Sequence, residues 1–221
     1  MLDQWLQVLE QNRAIAIIRC PQISLAYKMA VAVAAGGMNL IEIAWNSESE
    51  GKVDQSSEDL ITQLRTELPD CTIGAGTILN SEQLQAAVNA GAQFAFSPYF
   101  SQELLDVSQS RYQIPFVPGV FSPTEIVNAW QSGAKAVKVF PIKSLGGAEY
   151  IRCLQGPLSQ IPLIPTGGIT LENASKMIEA GAIAVGISSS LFPTQAIANR
   201  DWSSISLRTK YLLDKLQGIK K

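Results

Sequence analysis

The sequence predicts an α/β fold, a (β/α)8 TIM barrel with an additional N-terminal helix, and three observations carry that expectation. Apolar runs of about five residues alternate with longer stretches of helical periodicity. The alternation repeats eight times along the 221 residues. Four of the helical stretches end in variants of one phrase, with glycine at Gly36–Gly37, Gly91, Gly133 and Gly181, where a left-handed C-cap is needed before the next strand. Eight βα units of this kind close into a parallel barrel; a doubly wound open sheet is the competing architecture.

In chain order, the strand-like runs are 14–19, 39–44, 72–74, 93–97, 115–118, 136–140, 162–166 and 183–187. Helix-like segments lie between them near 24–35, 55–67, 81–90, 101–109, 122–132, 147–155 and 172–180, with a last helix near 203–217. Residues 3–11 read as an extra helix placed to cap the barrel floor. Ser122-Pro-Thr-Glu125 combines an N-cap, a proline at the first helical position and a glutamate three residues on. Asn80-Ser-Glu and Thr170-Leu-Glu-Asn also read as capping sequences. No proline- or serine-rich linker divides the chain, so residues 1–221 are expected to form one domain.

Composition narrows the function classes. Hydrophobic residues make up 47% and charged residues 16%, which suits a large buried core. A net charge of −2 leaves no basic footprint for nucleic acid. The longest apolar stretches, such as 14–18 and 29–35, are too short to span a bilayer, and no signal peptide is visible, so a cytoplasmic protein with no membrane partner is expected. Cys20, Cys71 and Cys153 are odd in number and widely spaced, which suits reduced thiols. Histidine is absent. That removes His-based triads, the common catalytic zinc sites and His acid/base catalysis.

In a barrel, chemistry belongs at the C-terminal strand ends and in the loops after them. Alternation in the sixth strand puts Ala136, Lys138 and Phe140 on one face and Val137 and Val139 on the other. With the valines against the helices, Lys138 points inward. Burial disfavours the charged form of an amine, and a neutral amine is what attack on a ketone requires. The alternative is a strand-end lysine whose stem reaches back to solvent. Glu42 sits between Ile41 and Ile43 in the second strand and by the same argument also faces inward, as a proton shuttle or as half of a structural ion pair. Arg19 ends the first strand and Thr77 follows the third, where a guanidinium fork and a hydroxyl can grip a carboxylate. A surface arginine and a helix-capping threonine are the plainer readings. Pro165-Thr-Gly-Gly-Ile169 and Gly186-Ile-Ser-Ser-Ser190 follow the seventh and eighth strands, where barrels often hold phosphate on backbone N–H groups.

These residues lie within a wider ordered set: Ile-Glu-Ile at 41–43, Gly-Ala-Gly-Thr-Ile-Leu at 74–79, Phe-Ala-Phe-Ser-Pro at 94–98, Val-Pro-Gly-Val at 117–120, Lys-Val-Phe-Pro at 138–141 and Pro-Thr-Gly-Gly-Ile at 165–169. On these motifs the chain resembles, from about Ala14 to Pro193, the class I aldolases for 2-keto-3-deoxy-6-phosphogluconate (KDPG) and 4-hydroxy-2-oxoglutarate (KHG). The resemblance implies Lys138 as the Schiff-base lysine and Glu42 as the general acid/base. It implies Arg19 and Thr77 on the substrate carboxylate and Gly167, Gly168 and Ser189 on the phosphate. Pro98, Phe140 and Thr166 would line the pocket. It further implies a small 2-keto acid as substrate, no metal or cofactor, and a homotrimer. Two departures stand out. Some members carry an arginine after the glutamate, where this chain reads Ala44-Trp-Asn46, and the loop after the eighth strand lacks the family's second glycine. The Trp45–Glu48 loop is a further candidate for tuning substrate preference. A phosphate-binding barrel isomerase or synthase, and a catalytically inactive sugar-acid-binding barrel, are the competing functions.

Overall fold

Runs that are apolar on both faces become the strands, because a parallel strand is covered on each side. A computed structural model describes residues 4–45 and 56–219, and the structural statements below concern those residues. It contains β1 (Ala14–Ile18), β2 (Leu40–Ala44), β3 (Thr72–Gly76), β4 (Ala95–Phe96), β5 (Phe116–Val117), β6 (Gly119–Val120), β7 (Val137–Val139), β8 (Leu163–Pro165) and β9 (Val185–Ile187). Between and after them come α1 (Trp5–Asn12), α2 (Ile23–Ala35), α3 (Ser56–Glu67), α4 (Ser81–Asn89), α5 (Gln102–Val107), α6 (Pro123–Gln131), α7 (Ala148–Leu158), α8 (Ala174–Glu179), α9 (Thr194–Ala198) and α10 (Trp202–Gln217).

The strands form a curled parallel sheet in two parts, ordered β5-β4-β3-β2-β1-β9 and β6-β7-β8. Nine strands replace the expected eight because Pro118 interrupts the fifth run. It has no N–H to give to a ladder. Its carbonyl still accepts from the Lys138 N–H at 2.9 Å, so residues 116–120 belong to both parts. At the far edges the Ile183 N–H donates to the Leu163 carbonyl at 3.0 Å, and Thr166 bridges Gly186.

Alternation along the strands separates two apolar layers. Ala14, Ala16, Ile18, Ile41, Ile43, Val137 and Val139 pack in the layer that includes the helices. Ile15, Leu40, Phe94, Phe96, Val117, Ala136 and Ile164 face one another inside the curl. The N-terminal helix α1 closes the lower end of this inner layer with Trp5 and Leu9, both fully buried. The Trp5 ring lies 5.1 Å from Phe94, which meets Phe96 edge-on at 5.6 Å. Deleting such a buried ring costs about 3–5 kcal/mol. Arg13 ends α1 in a left-handed conformation, and its guanidinium donates to the carbonyls of Leu216 and Ile219 at the end of α10, both at 2.7 Å.

The helix boundaries follow the expected chemistry at most junctions. Ser122 and Glu125 form a reciprocal capping box at the start of α6, and the Asn80 side chain accepts from the Gln83 N–H at 2.8 Å. Gly91 and Gly181 take φ of +97° and +108° where a Cβ would be strained. Three features differ from expectation. The segment after α5 continues as a π-helical turn over Ser108–Tyr112, α7 runs on through Pro157, and the short α9 precedes the last helix. Pro157 gives up one N–H bond to the carbonyl four residues back, and its place one residue before the end of α7 leaves no further turn for it to disrupt. Trp45 packs partly buried against the outer layer, whereas Asn46–Glu48 of the loop singled out above lie outside the described residues. No described helix is long and apolar enough to cross a membrane.

Candidate active site

The inward face of β2 carries a carboxylate where its neighbours carry leucine and isoleucine. Glu42 is 1% exposed, and the strand opposite makes room for it: a Cβ on Gly76 would lie 1.7 Å from Glu42 Oε1. Gly74, paired in register with Glu42, makes similar room for the Phe94 ring. Glu42 Oε2 has no hydrogen-bond partner among the described residues. Burial pushes the Glu42 carboxyl above the usual carboxylate range, and the positive charges of Lys138 and Arg19 only partly offset it.

Lys138 sits in the middle of β7 and is buried, with Val137 and Val139 turned to the outer layer. Its Nζ lies 5.2 Å from the Phe140 ring centre and 5.8 Å from that of Phe96, within cation–π range. Phe140 itself falls one residue past the strand, at the rim. Arg19, just after β1, donates through Nη2 to Thr77 Oγ1 at 2.6 Å. Thr77 has φ of +62°, which costs a β-branched residue on the order of 1–3 kcal/mol. The following Ile78 N–H is tied to the Phe96 carbonyl at 3.1 Å, which helps hold that conformation.

The loops after β8 and β9 complete the enclosure. Gly167 and Gly168 have φ of +85° and +90°, and a Cβ on Gly167 would meet the Phe140 ring at 3.0 Å. Gly186 lies within β9 and not in the following loop, which begins at Ser188. The space a Cβ on Gly186 would need is taken by Thr166 Oγ1, 2.5 Å away. The Asn173 side chain donates to the Gly168 carbonyl at 3.0 Å and fixes the turn.

All ten residues singled out from the sequence line one pocket of about 300 Å3: Arg19, Glu42, Thr77, Pro98, Lys138, Phe140, Thr166, Gly167, Gly168 and Ser189. Ile17 completes its wall and was not singled out, while Ile169, Gly186 and Ser188 join it from the two loop sequences without having been given roles of their own. Ile17 was readable by parity with inward Ile15; Ile169 carries no signal that separates it from an ordinary core residue. The pocket thus holds one buried amine, one buried carboxylate with an oxygen unpaired among the described residues, a guanidinium–hydroxyl pair and glycine-rich backbone. That set can capture a carbonyl, move a proton and hold anions. Among the described residues no group of three or more His, Cys, Asp or Glu side chains could hold a metal ion.

The raised Glu42 pKa has a consequence for stability. Below the ordinary carboxylate range the folded and unfolded chains both carry this proton and nothing is lost. As pH rises the unfolded chain releases it first, so folding stability falls until the folded-state value is passed. Glu42→Gln is therefore expected to stabilise the fold near pH 8 and to have no such effect near pH 3. Urea denaturation at the two pH values checks this; a variant less stable than the parent at pH 8 would contradict it.

Comparison with known proteins places the chain among the aldolases, a class of lyases. It is 31% identical over 212 residues to the 2-dehydro-3-deoxy-phosphogluconate aldolase of Pseudoalteromonas atlantica, covering 96% of this chain and 95% of that one. It is 30% identical over 213 residues to the KHG/KDPG aldolase of Escherichia coli K12, with the same coverage. The structure superimposes with a TM-score of 0.83 on a KDPG aldolase from Legionella pneumophila, crystallised with pyruvate captured at low pH as a covalent carbinolamine intermediate. That match is 30% identical and covers 94% of this chain and 97% of that one. The chain belongs to the KDPG and KHG aldolase family, whose model matches residues 6–207.

Proposed function

We propose that this aldolase cleaves KDPG or 4-hydroxy-2-oxoglutarate to pyruvate and an aldehyde through a Schiff base on Lys138. The observation that carries this reading is the buried Lys138 sharing one pocket with a buried Glu42 whose Oε2 is unpaired. The Lys138 amine adds to the C2 carbonyl, forming the Nζ–C2 bond. Glu42, inclined by burial to hold a proton, protonates the carbinolamine oxygen, which leaves as water and yields an iminium. Glu42, now ionised, takes the C4 hydroxyl proton while the C3–C4 bond breaks. The bond's electrons pass into the iminium, the aldehyde departs, and an enamine of pyruvate remains. Protonation at C3 and hydrolysis return pyruvate and the free amine. Arg19 and Thr77 orient the keto-acid carboxylate, and Gly167, Gly168 and Ser189 receive a distal phosphate on the far side of the reacting bond. Pro98, Phe140 and Thr166 shape the wall. The iminium is the electron sink, so this mechanism calls for no metal or cofactor.

On this reading the chain is one domain whose strands close into an eight-membered ring. The segment shared by both sheet parts and the Thr166–Gly186 bridge support that closure. The family resemblance supports a homotrimer acting in the cytoplasm on a small-molecule substrate. Pyruvate with borohydride should add an irreversible mass to the peptide containing Lys138. An unmodified peptide, under conditions that label a control class I aldolase, would remove the mechanism. A lactate-dehydrogenase-coupled cleavage assay across KDPG, its galactose-series epimer and 4-hydroxy-2-oxoglutarate then chooses among the substrates.

A further inference from the structure

We infer that Arg208, on the C-terminal helix α10, is a positioning residue that fixes the geometry of the distal-anion end of the pocket. The inference rests on the aldolase reading above. It begins with an asymmetry in the site. The charged side chains lining the pocket are Arg19, Glu42 and Lys138, and each already has work near the keto-acid end. The other end offers Gly167, Gly168, Ser188 and Ser189, which carry no charge. An anion held by backbone N–H groups and hydroxyls is bound only as well as those groups are aimed.

The aim of the two loops depends on Ser190. Its Oγ accepts from the Leu171 N–H at 3.1 Å, which joins the loop after β9 to the one after β8. Its carbonyl accepts twice from Arg208, from Nε at 3.0 Å and Nη2 at 2.8 Å. A planar guanidinium delivering two bonds to one oxygen sets both the distance and the plane of that peptide. Just downstream, the N–H groups of Leu191 and Phe192 fold back on the Ser188 carbonyl at 2.8 and 3.2 Å. The pocket-lining Ser188 and Ser189 are therefore held between a tight turn and a peptide clamped from behind. Arg208 is half-buried, and although the Glu172 carboxylate feels its charge it makes no salt bridge among the described residues, so its defined contact is the clamp on Ser190.

The test runs the reaction in the condensing direction, pyruvate with D-glyceraldehyde 3-phosphate or with unphosphorylated D-glyceraldehyde. Arg208→Met should raise the KM for the phosphorylated aldehyde about tenfold, equivalent to about 1.4 kcal/mol, with kcat little changed. It should leave the KM for the unphosphorylated aldehyde and the exchange of pyruvate C3 protons in D2O at parental levels. Arg208→Lys, which keeps the charge and loses the fork, should recover part of the lost affinity. Equal losses for both aldehydes, or no loss for either, would overturn the inference. Proton exchange separates its failure from that of the aldolase reading: a parent enzyme that does not exchange removes both. A parent that exchanges, with an Arg208→Met variant whose KM for the phosphorylated aldehyde is unchanged, removes only the role of Arg208.

Discussion

Lys138→Ala is expected to reduce cleavage by at least about 10⁴-fold, the scale of loss when an essential nucleophile is deleted. The effect should be on kcat with any of the three candidate substrates, because all share the keto-acid half that the amine attacks. Lys138→Arg sharpens the test. It keeps a cation beside Glu42 but cannot form the imine, so it should be as inactive as the alanine variant. If arginine restored activity, the residue would be acting by charge alone. Folding is not the obstacle to this experiment. The floor of the inner layer is an apolar cluster that α1 closes without residue 138. Losing the lysine also removes the foremost charge that lowers the Glu42 carboxyl, so that group should hold its proton still more firmly in the variant. An infrared carboxyl band persisting to higher pH than in the parent would report this directly.

Gly76→Ala is the second large effect. A methyl group added there would lie 1.7 Å from Glu42 Oε1, 2.4 Å from Cδ and 2.7 Å from Cγ, so one of the two residues must move. The strand is poorly placed to do so. Gly76 pairs in register with Ala44, and its carbonyl accepts from the Trp45 N–H at 2.7 Å. The carboxyl is the freer partner, and its displacement should lower kcat on the order of 10²-fold, with a stability loss of about 1–3 kcal/mol from overpacking. Pyruvate trapping at Lys138 should persist more slowly, because the amine is untouched. A folded Gly76→Ala enzyme with parental kcat would mean that the Glu42 carboxyl does not need its present position.

The contrast between these two residues shows what the sequence could and could not disclose. Lys138 and Glu42 were legible as inward-facing because each is a charged residue in phase with the interior of a short apolar run. Period-two alternation is local information. The caps at Ser122 and Asn80 were legible for the same reason. Gly76 belongs to a run read as strand and turn, and its purpose appears only when β3 lies beside β2. Pro118 could be read as the end of a strand, but not as a break that leaves the chain hydrogen-bonding on both sides. Arg208 was unreadable: its partner is the Ser190 backbone carbonyl, 18 residues away across α9, and nothing in the amphipathic pattern of α10 separates it from a solvated arginine. Local periodicity thus found the reacting groups, while the groups that hold them depended on tertiary neighbours.

The aromatic column from Trp5 through Phe94 to Phe96 fills the inner layer from the floor up to within 5.8 Å of the Lys138 Nζ. Traffic in both directions is then expected at the opposite end, the mouth where the strand-end loops surround the pocket. On the proposed chemistry the fragment nearer that mouth, the aldehyde, departs while pyruvate is still tethered below it. Release is then a queue whose order the architecture enforces, and a crowded opening would slow turnover without touching any bond-breaking step.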